Sequence, residues 1–469
     1  MTMGVMAIDV DQHSKHAAKT RTVSTDETSA STPIARINAK SSTPAYIIWT
    51  VILIALMVGK VADWVPGLSS VPLVKIAFLF AAVFAFGHPG ALAPLGIRSS
   101  RITRAALTFL ALAIVSFVFS IYKSATLMLS LYILILLLSM MLVLKVTQTL
   151  WDVEKLLLGF AAAGVSLAVG LVLNYHGGRA FINGKFDPND IAYALDTILP
   201  IVLALRSRKS RWARLLMSAL AIVTMVSILL TGSRGGAIGL CVVIASATAF
   251  PLSREGSGAL KKFSIRRTLI RCAILVLMVA VAWGYLPTDT QQRMATLVNL
   301  GSDYNADPTE NGSRLLIWQQ DIGMALKRPI GYGLGSAELV NGLTGGQYRT
   351  AHNSFVEALV ELGALGLMIY LRVLYTTWTE LGRVLKIAHH PSAGEEEQKA
   401  ALYARALRTA LAGNLVAGVF LSQAYSAGLW MLVATAATLV KIMVPTPRSN
   451  APVGSNRGAP PALIARERV

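Results

Sequence analysis

Apolar runs of about 17 to 22 residues recur from Tyr46 to Met443, each long enough to cross a hydrocarbon core about 30 Å thick as a helix. In lipid the backbone must satisfy its own hydrogen bonds, so a spanning chain is either helical or a closed barrel. A barrel would need ten-residue stretches of alternating polarity, and none is visible. The chain therefore reads as an all-α polytopic membrane protein with about 12 transmembrane helices. They are expected at 46–62, 72–88, 103–121, 125–145, 153–173, 189–205, 213–231, 235–251, 269–286, 354–376, 402–421 and 424–442. Only 14% of its 469 residues are charged, against 54% hydrophobic, which leaves too little polar surface for a soluble domain of that size.

A formal charge of +19 would suggest nucleic acid as a partner in a soluble protein, so its distribution decides its meaning. If the N-terminus is cytoplasmic, most of the 43 Lys and Arg fall on the cytoplasmic side, in clusters such as Arg206–Arg214, Arg254–Arg271 and Arg372–Arg408. The positive-inside rule then gives both termini inside, and no nucleic acid is needed. Residues 1–45 form a polar cytoplasmic tail with no apolar segment ahead of a cleavage site, so the first span itself is expected to direct insertion. Residues 46–443 form the membrane domain, and 444–469 a Pro-, Gly- and Arg-rich cytoplasmic tail expected to be disordered, like the first.

Between spans 9 and 10 lies a polar island, 287–353, expected as a large periplasmic loop. With the other short loops on the same face, this topology puts Arg179, Arg234 and Arg314 on the side with the fewest positive charges. Arg234 sits in LLTGSRGGAIGL, a hairpin too short to carry it away from the membrane boundary. A guanidinium beside a glycine turn suits a diphosphate, which it grips with two parallel hydrogen bonds; the bland alternative is a snorkelling anchor. Arg314 opens RLLIWQQDIGMALK, where Leu315, Leu316, Trp318, Ile322 and Leu326 suggest the apolar face of an external helix capped by Asn311 or Ser313. Its basic residues, including Lys327 and Arg328, would equally suit a headgroup-facing side.

His352 precedes span 10 directly. The positive end of a helix dipole lowers a histidine pKa and keeps the imidazole neutral, able to accept a proton, although an interfacial histidine needs no catalytic task. The loop ending in Asp187-Pro188-Asn189-Asp190 reads first as a helix start, with Arg179 and Lys185 adding charge at the same mouth. Walker, HExxH, CxxC and GxSxG patterns are absent from the sequence, which disfavours nucleotide and metal chemistry. Cys241 and Cys272, in different expected spans near opposite faces, form neither a disulfide nor a metal site.

The ordered set FDPN (186–189), TGSRGG (231–236), SRLLIW followed by RPIGYGLG (313–335) and AHNSFVEALVELGALG (351–366) resembles the O-antigen ligase and polysaccharide polymerase superfamily of bacterial envelopes, over about residues 150–430. The resemblance implies a metal-independent, cofactor-free transferase with a C-type glycosyltransferase-like membrane fold in the bacterial inner membrane. It would take a glycan from undecaprenyl diphosphate and pass it to a glycan or lipid A core acceptor, in exopolysaccharide or lipopolysaccharide O-antigen synthesis. Membrane lipid and envelope polysaccharide-assembly proteins would be its other partners. The resemblance further implies that Arg234 and Arg314 hold the diphosphate and that His352 deprotonates or orients the acceptor. Arg179, Lys185, Asp187, Asn189 and Asn353 follow as substrate-binding candidates, and Glu357 and Glu361 as orienting or merely packing groups. A polytopic transporter or flippase of lipid-linked glycan is the alternative, which would want ionisable residues near the bilayer midplane.

Overall fold

A computed structural model of the chain describes residues 43–444 except 89, 91, 94–99, 176, 177, 179, 181, 183–185, 209, 250, 251, 253–282, 285, 286, 297–312, 346, 347 and 391. Its helices are α1 (Ala45–Gly59), α2 (Val61–Trp64), α3 (Leu73–Phe86), α4 (Arg101–Val115), α5 (Lys123–Val146), α6 (Leu150–Leu173), α7 (Pro188–Leu205) and α8 (Arg211–Leu230). They continue with α9 (Arg234–Ala249), α10 (Thr288–Ala295), α11 (Arg314–Lys327), α12 (Ala337–Gly345), α13 (Ser354–Ala388), α14 (Glu395–Ala417) and α15 (Ala427–Met443). Every expected span coincides with a helix except 269–286, which lies outside the described residues apart from 283 and 284. Among the described residues six helices are long and apolar enough to cross a membrane, α4 counting with the turn that follows it to Phe119, while α1, α3, α9 and α15 are shorter apolar helices. Among the described residues β-structure is confined to one isolated bridge, Ile182 to Phe186.

Helix starts follow local chemistry. Thr149 and Asp152 form a reciprocal capping box at α6, with Oγ1 accepting from the Asp152 amide at 3.1 Å and the Asp152 carboxylate accepting from the Thr149 amide at 2.9 Å. Asp187 caps α7 ahead of Pro188, which occupies the first turn, where its missing N–H costs nothing. Ser100, Ser210, Ser313 and Ser426 cap α4, α8, α11 and α15. Each cap contributes about 1 kcal/mol.

The bundle is layered by burial. All residues of α15 from Ala427 to Val440 are buried, and α7 is nearly as enclosed. A helix apolar around its whole circumference belongs inside a large protein. By contrast α3 exposes Leu79, Val83 and Phe86, and α8 exposes Leu215, Leu216 and Ile222, as lipid-facing helices must. Charge inside the bundle is paired where α6 begins: Glu154 meets Lys399 and lies 3.2 Å from Arg208, with the Tyr403 hydroxyl donating at 2.9 Å.

Span 10 departs from expectation. Instead of one rod over 354–376, α13 breaks at Gly363 (φ 71°) and then continues to Ala388. The GYGLG segment lies against the break, where the Tyr332 and Gly333 amides donate to the Val360 and Glu361 carbonyls, both at 2.9 Å, and the Ala364 amide donates to Pro329 at 3.1 Å. Backbone groups freed by the break are thus paired rather than left bare in an apolar layer. The polar island is consequently not a loose loop in its described part: it carries α10, α11 and α12, and α11 packs on α12 and on the first part of α13.

Candidate functional site

Four helices begin at one end of the bundle, three of them tied there through the 418–423 connection and one through the segment before α13. The Ser354 amide at the start of α13 donates to the Gly418 carbonyl at 2.8 Å, and its hydroxyl donates to Leu421 at 2.7 Å. Gly235, in the first turn of α9, faces Phe420 and Leu421, and the next residue, Gly236, faces Ala192 of α7. The Gln423 amide side chain donates to the Asp190 carboxylate in the first turn of α7. The fourth is α11, whose Trp318 indole donates to the Ala351 carbonyl at 2.7 Å, one residue before His352. The N-termini of α7, α9, α11 and α13 therefore share one region, and their dipoles favour negative charge there.

Arg234 is the first residue of α9 and half-buried; one guanidinium nitrogen donates to the Thr296 hydroxyl at 2.9 Å. Arg314 is the first residue of α11, whose cap is Ser313, with its Oγ accepting from the Leu316 amide at 3.2 Å. The apolar face expected from the sequence for this external helix is largely turned outward, and a second side packs on the protein. Ile317, Asp321 and Ala325 turn inward, whereas Leu315, Ile322 and Leu326 are exposed. The helix has two apolar sides, and tertiary packing selects the narrower one.

His352 is half-buried in the segment before α13 and adopts a left-handed backbone, φ 46°. That conformation is uncommon for a histidine and marks a position held by its surroundings. Burial, and then the nearby Arg314 guanidinium, bring its pKa down to about 4, with Asp187 pulling upward and Arg349 reinforcing the depression. The imidazole is neutral at physiological pH, and Arg314, Arg349 and Asp187 lie within its electrostatic reach.

The substrate-binding candidates divide. The Asp187 carboxylate accepts from the Asn189 amide at 2.6 Å as the α7 cap, although its side chain stays exposed. Asn353 caps α13, its Oδ1 accepting from Phe355 at 2.9 Å and Val356 at 3.1 Å, so its carbonyl oxygen is engaged by the helix. Asn189 is half-buried in the first turn of α7. Arg179 and Lys185 lie outside the described residues. Arg328 is tied to the Phe119 carbonyl at 2.7 Å, a structural use that sequence alone left open.

Two neighbours, Arg349 and Gln423, escaped the sequence reading as site residues. Arg349 was visible only as one more basic residue of the island, and Gln423 carried no motif at all. Glu357 accepts from the Ala424 amide at 3.3 Å and Glu361 from the Ala337 amide at 3.4 Å, so both carboxylates hold loops around this region. Their spacing of one helical turn marks both in the sequence as orienting or packing groups.

No curated protein matches the chain. Residues 215–371 match the family model described as O-Antigen ligase. That interval runs from α8 into α13 and contains Arg234, Arg314 and His352, so this part of an integral membrane protein is similar to the O-antigen ligase family.

Proposed function

We propose that the protein transfers or polymerises glycans from undecaprenyl diphosphate onto an acceptor hydroxyl at the periplasmic face of the inner membrane, without metal. The observation that carries this reading is the coupling of Arg314 to His352, fixed by the Trp318 to Ala351 hydrogen bond, at a bundle end where four helices begin.

The chemistry follows from charge. The bond between the sugar anomeric carbon and the phosphate oxygen breaks, and negative charge grows on the departing diphosphate. Guanidinium groups already in place stabilise that charge more in the transition state than in the ground state. Arg314 and Arg234 have this role here, with helix N-termini adding to the field. The acceptor oxygen attacks the opposite face of the anomeric carbon, and its proton passes to the neutral His352 imidazole, a step supplying about 10²–10⁴-fold in rate. The products are the extended glycan, with inverted anomeric configuration, and free undecaprenyl diphosphate.

The test is direct. Purified full-length protein, given a lipid-diphosphate glycan and an acceptor in EDTA, should release undecaprenyl diphosphate, and His352→Ala or Arg314→Ala should abolish release at unchanged protein level. One feature speaks for transport instead: Asp196, buried midway along α7 with neither carboxylate oxygen hydrogen-bonded among the described residues. Movement of the donor across vesicles without transfer, lost in Asp196→Asn, would replace the transferase reading. Within it, loss of a polymerase leaves single repeats, whereas loss of a ligase leaves finished chains on the carrier.

A further inference from the structure

Far along α13 from His352, this helix and α14 line an open cavity of about 480 Å³ whose walls include Trp378, Gly382, Arg383, Lys386, His389 and Arg408. The Arg408 guanidinium carbon lies over the Trp378 ring, 4.0 Å from its centroid, and its Nε has no hydrogen-bond partner among the described residues. Arg383 is partly neutralised by Glu380 at 2.7 Å, a carboxylate that Arg101 also approaches at 3.9 Å. Lys386 and Arg408 have no ion-pair partner among the described residues, and no carboxylate lines the cavity. The walls therefore carry uncompensated positive charge.

An apolar track leads into it. Leu365, Met368 and Tyr375 are 55%, 60% and 69% exposed, with the exposed Arg372 between the last two, and at helical spacing the same face of α13 continues through Thr379 and Gly382 to Lys386. A water-soluble anion has no use for such a track, whereas a phospholipid presents an anionic head and two acyl chains in this order. We propose that the cavity binds the phosphodiester headgroup of an anionic phospholipid, with its acyl chains along Leu365, Met368 and Tyr375. A planar guanidinium pre-oriented by an indole presents its N–H groups to phosphate oxygens without further ordering, and the open backbone at Gly382 admits the headgroup between the helices. Basic pockets between membrane helices recognise lipid headgroups by this charge complementarity. The site is remote from His352 and stands independently of the transferase reading.

Native mass spectrometry of the full-length protein in detergent, titrated with cardiolipin, phosphatidylglycerol, phosphatidylcholine and inorganic phosphate, tests it. The anionic lipids should be retained over phosphatidylcholine, and millimolar phosphate should not displace them. Lys386→Gln with Arg408→Gln should weaken retention by about tenfold. Gly382→Leu keeps every charge but fills the cavity, and should weaken retention similarly. A Cβ there meets only Arg408 Nη1, at 3.8 Å, and leucine favours helix, so the fold accommodates it. Unchanged retention in both variants, equal retention of phosphatidylcholine, or displacement by free phosphate would each overturn the proposal, the last by making this a simple anion site.

Discussion

Gly331 and Gly363 meet backbone to backbone: a Cβ on Gly331 would stand 2.5 Å from both the Glu361 carbonyl oxygen and the Gly363 amide nitrogen. Both residues have positive φ, 87° and 71°. Two glycines more than thirty positions apart thus form one joint, through which the island is fastened to the break in α13. Gly331→Ala and Gly363→Ala should each cost about 1–3 kcal/mol or more from strain and overlap, lowering the thermal midpoint in detergent and deprotecting α11 to hydrogen exchange. Gly323→Ala, in a helix with open space around it, serves as the control and should be neutral or slightly stabilising. If all three variants unfold alike, the joint does not hold the island.

The left-handed backbone at His352 separates its conformational role from its chemical one. Asparagine tolerates that conformation best among side-chain-bearing residues. His352→Asn should keep the wild-type melting temperature and lose about 10²–10⁴-fold in transfer rate, the range of general base catalysis. Turnover near wild type in a stable His352→Asn protein would remove the imidazole from the mechanism.

The depressed pKa of His352 predicts two different acid limbs. In the empty site, burial and then Arg314 hold it at about 4, so kcat/KM should stay level on acidification until well below the ordinary histidine range of 6.5. A bound diphosphate offsets the two guanidinium groups, so the limb in kcat should lie at higher pH. The stability sign follows: the unfolded chain takes up this proton more readily, so the contribution is complete above about 6.5 and is lost as pH falls toward 4. Coincident limbs at 6.5 in both kinetic parameters would contradict the placement of His352 beside Arg314.

Asp321 has the opposite sign. Its carboxyl is fully buried on the packed side of α11, and burial raises its pKa from 3.8 to about 7. The native state keeps this proton while the unfolded chain releases it, so stability falls as pH rises from about 4 to 7 and stays lower above. Asp321→Asn should therefore stabilise the docked α11 at pH 8, by at most about 4 kcal/mol, and change little at pH 4. A variant less stable than wild type at pH 8 would mean that the ionised carboxylate is needed.

A guanidinium fork differs from a point charge. Arg314→Lys should retain folding and the positive field yet lose bidentate grip, lowering transfer by about tenfold or more. Activity equal to wild type would assign Arg314 a purely long-range electrostatic part.

What sequence made legible were features with a one-dimensional signature. The helix positions followed from run length and the α11 cap, offered as Asn311 or Ser313, from residue type, while Arg314 and His352, singled out by their place beside the apolar runs, lie within electrostatic reach of each other. The break at Gly363 was hidden because glycine recurs harmlessly in membrane helices, and only Pro329 to Gly333 arriving from elsewhere makes it necessary. The inward face of α11, Ile317, Asp321 and Ala325, was not singled out for the same reason: with apolar residues on two sides, periodicity marked only the broader, outward one. Gln423 reaches Asp190 across 233 positions, a contact no local pattern encodes.

The enclosure of α15 has a consequence for biogenesis. This hydrophobic segment follows α14 in the chain, yet its stretch from Ala427 to Val440 keeps no boundary with bilayer. The neighbours synthesised earlier must hold open a berth for it or part to let it in, and until it arrives the assembled portion encloses a void where its axis should be.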